Sequence, residues 1–289
     1  MSVPAPFDYH SATTVDEALS LLQQYGDEAK ILAGGHSLIP AMKLRLSQPE
    51  HLIDISRIAN LSYIREGQDT VAIGATTTYT ALLRSDLLRK SFALIPEGTA
   101  MIGDQQVRNR GTIGGSIAHS DPAADMPGIV LALKANIVAQ GSNGTRTIAA
   151  DDFFVDTFTT ALEPDELVTE IRLSMPPAHT GSAYEKLANK ASHYAIAGCA
   201  AVITLDNNRV CTAASIALTG AGIHTARAAA VEQALIGKKL DEKTIAEAAS
   251  HAGEGLDMIS DIHGSAEYRR QMCAVVTRRA ITKALERAA

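Results

Sequence analysis

Two glycine-rich segments hold the residues whose types and spacing could do chemistry. They read LAGGHSL at residues 32–38, the first glycine loop, and GTIGGS at residues 111–116, the second glycine loop, which continues as IAHSDPAADMP. Neither matches the dinucleotide fingerprint or the P-loop pattern. Glycine has no side chain and tolerates φ > 0, so its backbone N–H groups can approach a phosphate closely. We therefore interpret the pair as a grip on one pyrophosphate from two sides, unlike the single cradle of a Rossmann unit.

Polar side chains next to the glycines could add contacts. His36 and Ser37 follow the first pair of glycines, and Thr112 and Ser116 flank the second pair. A plain tight turn between a strand and a helix explains the first loop, taken alone, equally well. The combination of two such loops in one chain is what favours a binding site.

Two aspartates follow the second glycine loop. A carboxylate is unsuited to phosphate, but it accepts a hydrogen bond from a ribose hydroxyl or a ring N–H. Asp121 directly precedes Pro122, a pattern typical of a turn cap. Asp125 is therefore our candidate for a contact with the ligand.

Composition and charge exclude several classes of function. The 289 residues carry 26 basic and 32 acidic side chains, giving a net charge of −6 rather than the basic field typical of nucleic-acid binders. No apolar run is long enough to cross a bilayer, and the start, MSVPAPFDYH, lacks the regions of a signal peptide. We expect a cytoplasmic protein that binds no nucleic acid.

The cysteines and histidines limit the redox chemistry of this chain. Cys199, Cys211 and Cys273 are too scattered for a C-x-x-C pair and too few for a four-thiolate cluster. The histidines do not cluster at metal-ligand spacing, and neither G-x-S-x-G nor H-E-x-x-H occurs. We expect buried, reduced thiols, no metal on this chain, and an organic redox centre. A flavin meets that requirement.

The first part of the chain predicts a small α+β unit. Thr14 with Glu17 forms a capping-box pattern at the start of a helix that ends near Gly26. Short apolar runs at residues 29–33 and 51–55 predict buried strands. The first glycine loop follows the earlier of these strands.

The middle part repeats this mixture of elements. We predict strands at residues 70–75 and 166–173, and helices at residues 78–88 and 124–135. Residues 136–149 predict a hairpin that turns at Ser142-Asn143-Gly144.

The last part predicts a separate α+β unit after the proline-rich residues 175–181. Two antiparallel strands flank Asn207-Asn208, and three helices follow at residues 226–237, 241–255 and 265–287. Basic side chains on the last helix predict a solvated face; they are Arg269, Arg270, Arg278, Arg279, Lys283 and Arg287.

Taken together, the motifs resemble one family. The segments are LAGGHSLIPAMKLRL, EHLIDISRI, GTIGGSIAHSDPAADMP and AYEKLANKASHYAIAG, with FDYH near the start and SAEYRRQM near the end. They resemble the FAD-binding medium subunits of molybdenum hydroxylases, the xanthine dehydrogenase and oxidase family, and within it most closely the aerobic carbon monoxide dehydrogenases. The resemblance runs nearly end to end.

This resemblance implies an α+β fold in two domains. Residues 1–177 would form a vanillyl-alcohol-oxidase or PCMH-type FAD-binding domain, with α+β subdomains at about 1–56 and 57–177. Residues 178–289 would form a C-terminal α+β domain, a small antiparallel sheet backed by helices.

The resemblance also implies which residues bind FAD. The glycine loops would hold the pyrophosphate and ribityl atoms, and Asp125 would lie on the ribose or adenosine side. Lys186 would lie near the flavin ring and Tyr194 against it; a core tyrosine entering a strand is the alternative for Tyr194. The implied set is Leu32, Ala33, Gly34, Gly35, His36, Ser37, Leu38, Ile102, Thr112, Ile113, Gly114, Gly115, Ser116, Asp125, Val168, Lys186 and Tyr194.

Two residues depart from the family pattern. Ser116 stands where asparagine is usual, and His193 stands where some relatives have aspartate before the tyrosine. Neither change removes a backbone donor. We therefore expect an effect on the choice of electron acceptor rather than on FAD binding.

The function that the resemblance implies is electron transfer, with no catalytic residue on this chain. A large molybdenum–pterin subunit would oxidise carbon monoxide, an aldehyde or an N-heterocycle, and [2Fe–2S] clusters of a small subunit would carry the electrons to FAD. The external acceptor would be a quinone, NAD or oxygen. A dimer of heterotrimers is implied, in the cytoplasm and, with a quinone, in contact with the inner face of the membrane.

Two alternatives stay open at this point. A self-sufficient FAD-dependent oxidase or dehydrogenase of a small organic substrate needs a general base beside a pocket, and His36, His119 and His193 are available. A nucleotide-binding or assembly module would hold FAD only for its structure. The tyrosine expected at the flavin ring weighs against that second alternative.

Overall fold

A three-stranded parallel sheet forms the first part of the chain in the computed structural model, which describes residues 3–288. Residues 1, 2 and 289, the outer ends of the two predicted domains, lie outside the described part. The elements are β1 Asp8–Ser11, α1 Val15–Tyr25, β2 Ala29–Leu32, α2 Leu38–Lys43 and β3 His51–Asp54. The strand order is β1-β3-β2, and α1 packs on β2 and β3. The predicted helix and both predicted strands are confirmed.

Helix α1 begins with a variant of the predicted capping box. Thr14 Oγ1 accepts the N–H of Glu17 at 3.1 Å, as the pattern requires. The Glu17 carboxylate, however, accepts the N–H of Thr13 at 2.7 Å rather than that of Thr14. The helix ends at Gly26, whose φ of +51° suits glycine.

A five-stranded antiparallel sheet forms the middle part. Its order is β4-β5-β10-β6-β7, and β8 and β9 form a separate hairpin. The strands are β4 Ile64–Glu66, β5 Thr70–Gly74, β6 Asn136–Gly141, β7 Gly144–Ala149, β8 Phe154–Asp156, β9 Thr159–Thr160 and β10 Leu167–Ser174, and the helices are α3 Tyr79–Arg84, α4 Asp86–Ser91, α5 Leu94–Ala100, α6 Gln105–Arg110, α7 Ile113–His119, α8 Asp125–Ala132 and α9 Ala150–Phe153.

Two predictions for this middle part have different outcomes. The hairpin is confirmed, because β6 pairs with β7 from Asn136 opposite Ala149 up to the turn. The single helix predicted at residues 78–88 is wrong. Ser85 interrupts it in an extended conformation, and its Oγ accepts the N–H of Leu88 to cap a new helix, α4.

A four-stranded antiparallel sheet with three helices forms the last part. Its order is β11-β12-β13-β14, and the predicted pairing of the two strands around Asn207-Asn208 is confirmed. Strand β11 was not predicted, and the first predicted helix starts instead with the short strand β14. The elements are β11 Thr180–Ala188, β12 Ala195–Leu205, β13 Cys211–Thr219, β14 Ala226–Arg227, α10 Ala229–Leu235, α11 Glu242–Ser250 and α12 Ala266–Arg287.

Both faces of this last sheet are covered. Helix α12 packs on β11 and β12, whereas α5 and α8 of the middle part pack on the opposite face. Tyr184, Ala200 and Ala217 therefore belong to the same buried cluster as the middle sheet. The middle and last parts share this apolar cluster, and a second cluster belongs to the last part alone. The shared core fixes β11 relative to the glycine loops.

The predicted solvated face of α12 forms only in part. Exposed side chains are Arg270, Arg278, Arg279 and Arg287, whereas Lys283 is half-buried and Arg269 is buried. Arg269 is only 2% exposed and donates to the Ile196 carbonyl at 2.8 Å and to Asp261 at 2.6 Å. Arg287 donates to Glu97 of α5 at 2.6 Å. Ile196 and Glu97 lie far from α12 in the sequence, so helical spacing alone could not reveal these partners.

Two further observations concern membranes and thiols. Within residues 3–288 no helix combines the length and apolarity needed to span a bilayer. Cys199, Cys211 and Cys273 are buried and unpaired, as predicted. Burial raises the pKa of Cys199 and of Cys273 to about 12, so both stay protonated and unreactive at neutral pH.

Candidate functional site

A cavity of about 600 Å³ lies between the two glycine loops. The loops touch at its floor, because a Cβ added to Gly34 would lie 2.2 Å from the Arg110 carbonyl oxygen and 2.9 Å from the Gly111 Cα. Only glycine permits this approach of two backbones. Residues of both loops line this one cavity, and their binding of one ligand stays a prediction.

The first glycine loop presents its backbone donors to the cavity. No acceptor within residues 3–288 takes the N–H groups of Gly34, Gly35, His36, Ser37 and Leu38, although the same residues line the cavity. Gly35 has a φ of +77°, a left-handed conformation that glycine adopts readily. Such a succession of N–H groups is an anion-binding arrangement.

The second glycine loop uses its backbone donors internally. The N–H of Gly114 donates to the Ala75 carbonyl at 2.9 Å, and those of Gly115 and Ser116 donate to Thr112, at 3.1 Å each. The grip on phosphate through the backbone of this loop stays a prediction, which these internal bonds disfavour. Its glycines serve close packing, since a Cβ at Gly114 would lie 2.5 Å from the Ala75 Cβ. Hydroxyl groups remain for a ligand on this side.

A buried ion pair stands behind the cavity wall. The Lys186 Nζ lies 2.9 Å and 2.8 Å from the two Asp125 carboxylate oxygens. The Tyr184 hydroxyl donates to the same carboxylate at 2.5 Å. Burial raises the pKa of the Asp125 carboxyl, and the contacts with Lys186 and Tyr184 oppose that rise. Asp125 lines the cavity, but most of its acceptor capacity is already used.

Tyr194 lies on a tight loop between β11 and β12 and lines the cavity with 41% of its surface exposed. Asn189 organises this loop: its side-chain oxygen accepts the N–H groups of Ala191 and Ser192, and its own N–H donates to the Tyr194 carbonyl at 2.8 Å. Burial and the charge of Asp121 raise the pKa of the Tyr194 hydroxyl. The ring is held at the cavity as a neutral phenol.

Phe158 is a cavity residue that the sequence analysis missed. It lies in the turn of the β8–β9 hairpin with a φ of +52°, is 56% exposed, and its ring centroid is 5.0 Å from that of His119. Burial lowers the pKa of His119, so its imidazole stays neutral near pH 7. No sequence pattern indicates a positive φ at a phenylalanine, so Phe158 could not be predicted as a cavity residue from the sequence.

Two family models match the chain. One, described as the FAD binding domain in molybdopterin dehydrogenase, matches residues 5–177, and the other, described as the CO dehydrogenase flavoprotein C-terminal domain, matches residues 182–284.

Full-length relatives agree with these matches. The carbon monoxide dehydrogenase medium chain of Hydrogenophaga pseudoflava is 43% identical over 287 residues, covering 99% of this chain and 100% of the relative. Subunit alpha of the 6-hydroxypseudooxynicotine dehydrogenase complex of Paenarthrobacter nicotinovorans is 40% identical over 285 residues, covering 99% and 96%. A solved structure of the Hydrogenophaga pseudoflava carbon monoxide dehydrogenase that lacks the Mo-pyranopterin moiety superposes with a TM-score of 0.96 at 44% identity, covering 99% and 100%.

This chain belongs to the FAD-binding medium subunits of the molybdenum hydroxylases. Its cofactor is FAD. The predicted α+β fold, an FAD-binding domain with a C-terminal flavoprotein domain, is confirmed by the same matches.

The cavity of this flavoprotein suits FAD. The unused N–H groups of the first glycine loop match the charge of a pyrophosphate. A volume of about 600 Å³ falls in the range of sites for small molecules and cofactors. The half-exposed ring of Tyr194 offers a flat apolar face beside these donors.

Most of the predicted FAD residues lie at this cavity, and their contacts with FAD stay predictions. Two do not line it. Ile113 is fully buried in the apolar core and its N–H donates to the Thr77 carbonyl at 3.1 Å. The Lys186 side chain is 1% exposed, and its ammonium group contacts protein acceptors. The predicted residues that do line the cavity are Leu32, Ala33, Gly34, Gly35, His36, Ser37, Leu38, Ile102, Thr112, Gly114, Gly115, Ser116, Asp125, Val168 and Tyr194.

Proposed function

We propose that this chain is the electron-transfer subunit of a heterotrimeric molybdenum hydroxylase. It takes electrons from the iron–sulfur clusters of a small subunit and passes them to an external acceptor, a quinone, NAD or oxygen. The observation that supports this most is the match over nearly the whole chain to a carbon monoxide dehydrogenase medium chain, together with the cavity that fits FAD. FAD supplies the ability to accept electrons singly and to hand on a pair.

In this proposal the residues of the chain hold and orient FAD. The N–H groups from Gly34 to Leu38 bind the pyrophosphate, and the hydroxyl groups of Thr112 and Ser116 contact neighbouring atoms from the opposite side. Tyr194 lies against the flavin ring. The neutral His119 lines the cavity beside Phe158 without adding charge there.

Substrate choice belongs to the large subunit. Two relatives of nearly equal similarity carry names for unrelated substrates, carbon monoxide at 43% identity and 6-hydroxypseudooxynicotine at 40%. Medium subunits with such similar sequences therefore occur in complexes that act on unrelated substrates. This supports recognition of the substrate by another subunit. Carbon monoxide is the first substrate to test, because the solved structure with a TM-score of 0.96 is a carbon monoxide dehydrogenase.

The test compares the purified complex with the isolated chain. Each is mixed anaerobically with carbon monoxide, an aldehyde or an N-heterocycle while the visible absorbance of oxidised flavin is followed. We expect the complex to lose that absorbance with one substrate class and the isolated chain with none. Bleaching of the isolated chain by a small organic substrate would instead establish the self-sufficient oxidase or dehydrogenase.

The partner assignment has its own measurement. Affinity purification of the chain from its native host should recover one larger and one smaller subunit, with molybdenum and iron in the complex. Light scattering of that complex tests the dimer of heterotrimers, and re-oxidation by a quinone, NAD or oxygen identifies the acceptor. A chain purified alone with full dehydrogenase activity would refute the subunit proposal.

A further inference from the structure

The side chain of Lys186 makes more contacts with this protein than a cofactor contact would leave room for. Besides both Asp125 oxygens, its Nζ lies 2.9 Å from the Met101 carbonyl oxygen and 2.8 Å from the His193 carbonyl oxygen. An ammonium group has three N–H donors and no acceptor. All of them are used by Asp125 and the two carbonyls, so none is left for FAD.

The charge of Lys186 is also compensated within the protein. The Asp125 carboxylate lies 2.8 Å away, and both side chains are nearly inaccessible, at 1% and 6% of their surface. A buried pair at this distance is close to neutral when seen from outside, so Lys186 offers the flavin little net positive charge. An effect of this lysine on FAD must therefore pass through another group.

Of the three acceptors of Lys186, the His193 carbonyl belongs to the loop that carries the cavity residue Tyr194. His193 directly precedes Tyr194 and has a φ of +62°, a left-handed conformation that is unfavourable for a residue with a Cβ. Such a conformation persists only where its surroundings enforce it. The Lys186 bond to the His193 carbonyl is a contact that enforces it from outside the loop.

The three acceptors join three separate elements. Met101 ends α5, Asp125 begins α8, and His193 belongs to the loop between β11 and β12. Lys186 itself lies on β11, whose position is fixed by the shared core. The cluster thus fastens the Tyr194 loop to the helices that border the FAD cavity.

We propose that Lys186 is a positioning residue, which acts through the His193 carbonyl to hold the Tyr194 ring at the flavin and does not touch FAD. This inference rests on the proposed place of Tyr194 against the flavin. Asp125 supports Lys186 by fixing its ammonium group, and Tyr184 fixes Asp125 in turn. Loss of the cluster should release the Tyr194 loop while the pyrophosphate grip of the first glycine loop stays intact.

The test uses the FAD-loaded full chain and removes both charges together. Lys186→Met alone would leave the Asp125 carboxylate buried without its cation, which is strongly destabilising. The combination Lys186→Met/Asp125→Asn avoids this, because asparagine still accepts the Tyr184 hydrogen bond. Lys186→Gln/Asp125→Asn, which is polar but too short to reach His193, is used if the first combination does not fold.

The readouts are flavin fluorescence, the visible circular dichroism of the bound flavin, and FAD affinity. We expect Tyr194→Ala to increase the fluorescence and to weaken FAD binding about 2-fold to 10-fold, the loss expected for one aromatic contact. The Lys186/Asp125 combination should reproduce these changes. Adding Tyr194→Ala to it should change nothing further, because coupled residues are not additive.

A rescue experiment separates positioning from a general structural role. In the Lys186/Asp125 background, His193→Gly lets the backbone adopt a φ near +62° without strain. We expect this change to restore part of the wild-type flavin signal. As the control, Lys283→Met removes a lysine of α12 that bridges Glu97 of α5 and Glu185 of β11, and it should leave the flavin signals unchanged.

The outcomes distinguish the two proposals. If Tyr194→Ala changes the flavin and the Lys186/Asp125 combination does not, or if their effects add, Lys186 does not act through Tyr194 and the positioning inference is refuted. If Tyr194→Ala itself leaves the flavin unchanged, the proposed place of Tyr194 is wrong and the inference fails with it. The subunit assignment would stand in both cases, since it depends on electron transfer in the complex.

Discussion

The two glycine loops look alike in sequence and differ in what their backbones do. In the first, the N–H groups from Gly34 to Leu38 have no acceptor among residues 3–288 and face the cavity. In the second, the N–H groups of Gly114 and its neighbours are already bonded to Ala75 and Thr112. Paired glycines can therefore serve either to present donors to a ligand or to let two pieces of backbone pack closely.

The physical cause of this difference is the identity of each loop's neighbour. The first loop follows β2 and has only the cavity in front of its donors. The second begins α7, which packs so closely on the end of β5 that a Cβ at Gly114 would lie 2.7 Å from the Ala75 carbonyl oxygen. The second loop forms a wall of the cavity through close backbone packing, whereas the first loop presents free N–H groups to the ligand.

The largest effect is expected where the loops meet. Gly34→Ala places a Cβ 2.2 Å from the Arg110 carbonyl oxygen, and one backbone must move to relieve the clash. We expect the chain to lose about 3 kcal/mol of unfolding free energy, the upper part of the range for overpacking, and to be purified without FAD. Denaturant unfolding and the flavin content of the purified protein measure both effects.

Gly128→Ala is the matched control for that substitution. Gly128 lies in α8, and its added Cβ would meet the Thr219 Cβ at 3.5 Å, an ordinary contact. Alanine is favoured over glycine within a helix by up to about 1 kcal/mol, so stability should hold or rise and FAD should stay bound. Full FAD occupancy in Gly34→Ala would show that the loops need not touch.

Hydrogen exchange should distinguish the two loops directly. In the flavin-depleted chain, amides 34–38 should exchange rapidly, and FAD should slow them about 10-fold to 100-fold, the factor that corresponds to about 1.5–3 kcal/mol for a hydrogen bond to a charged group. Amides 114–116 should change far less, because protein acceptors already hold them. Mass spectrometry of exchanged peptides measures this, with α12 as an internal reference.

Equal protection of both loops on FAD binding is the result that would contradict this difference between them. That result would mean that the second loop opens its internal hydrogen bonds to bind the pyrophosphate, as the sequence alone suggested.

The sequence predicted most of the residues that line the cavity. It did not predict which loop has free N–H groups and which loop uses them internally. Paired glycines marked both loops, and the caps at Thr14 and Gly26 marked α1, since these signals are local. The acceptor for Gly114 lies at Ala75, in a different element, and no local pattern records such a partner. The internal use of the second loop's donors could therefore be seen only in the structure.

The same limit applies to the buried charges. Arg269 and Lys186 read as ordinary basic residues, and each is nearly inaccessible because carbonyl groups from distant elements surround it. The resemblance to relatives predicts that Lys186 lies near the flavin, and the structure shows which protein groups its ammonium group contacts. Sequence similarity indicates the region in which a residue lies, but it does not identify the atoms that the residue contacts.

A smaller effect is expected at the start of α7. Thr112→Val removes the Oγ that accepts the Gly115 N–H at 3.1 Å, so the helix loses its cap. We expect a loss of about 1 kcal/mol of unfolding free energy without FAD. The loss should be larger with FAD, because the proposed contact of this hydroxyl with FAD is lost as well. Thermal or denaturant unfolding of both forms gives the two values.

Ser85→Ala is the control for the cap, because Ser85 caps α4 in the same way and lies outside the residues lining the cavity. A loss of FAD affinity in Thr112→Val that exceeds its loss of stability, with no such loss in Ser85→Ala, would assign the Thr112 hydroxyl a direct contact with FAD. The second loop would then contribute to the grip through its side chain, although not through its backbone.

The smallest effect concerns the other end of α7, where His119 lines the cavity. Burial lowers the pKa of this imidazole below the ordinary value of 6.5, although the charge of Asp121 opposes the shift. The unfolded chain therefore binds more protons than the folded one between the two pKa values, so stability rises with pH through that window and falls on acidification below about pH 6.5. His119→Gln should flatten this part of the curve of unfolding free energy between pH 5 and 7, because glutamine does not titrate. An unchanged slope in the variant would mean that His119 is exposed to solvent in solution. The end of α7 would then be less tightly packed than its hydrogen bonds indicate.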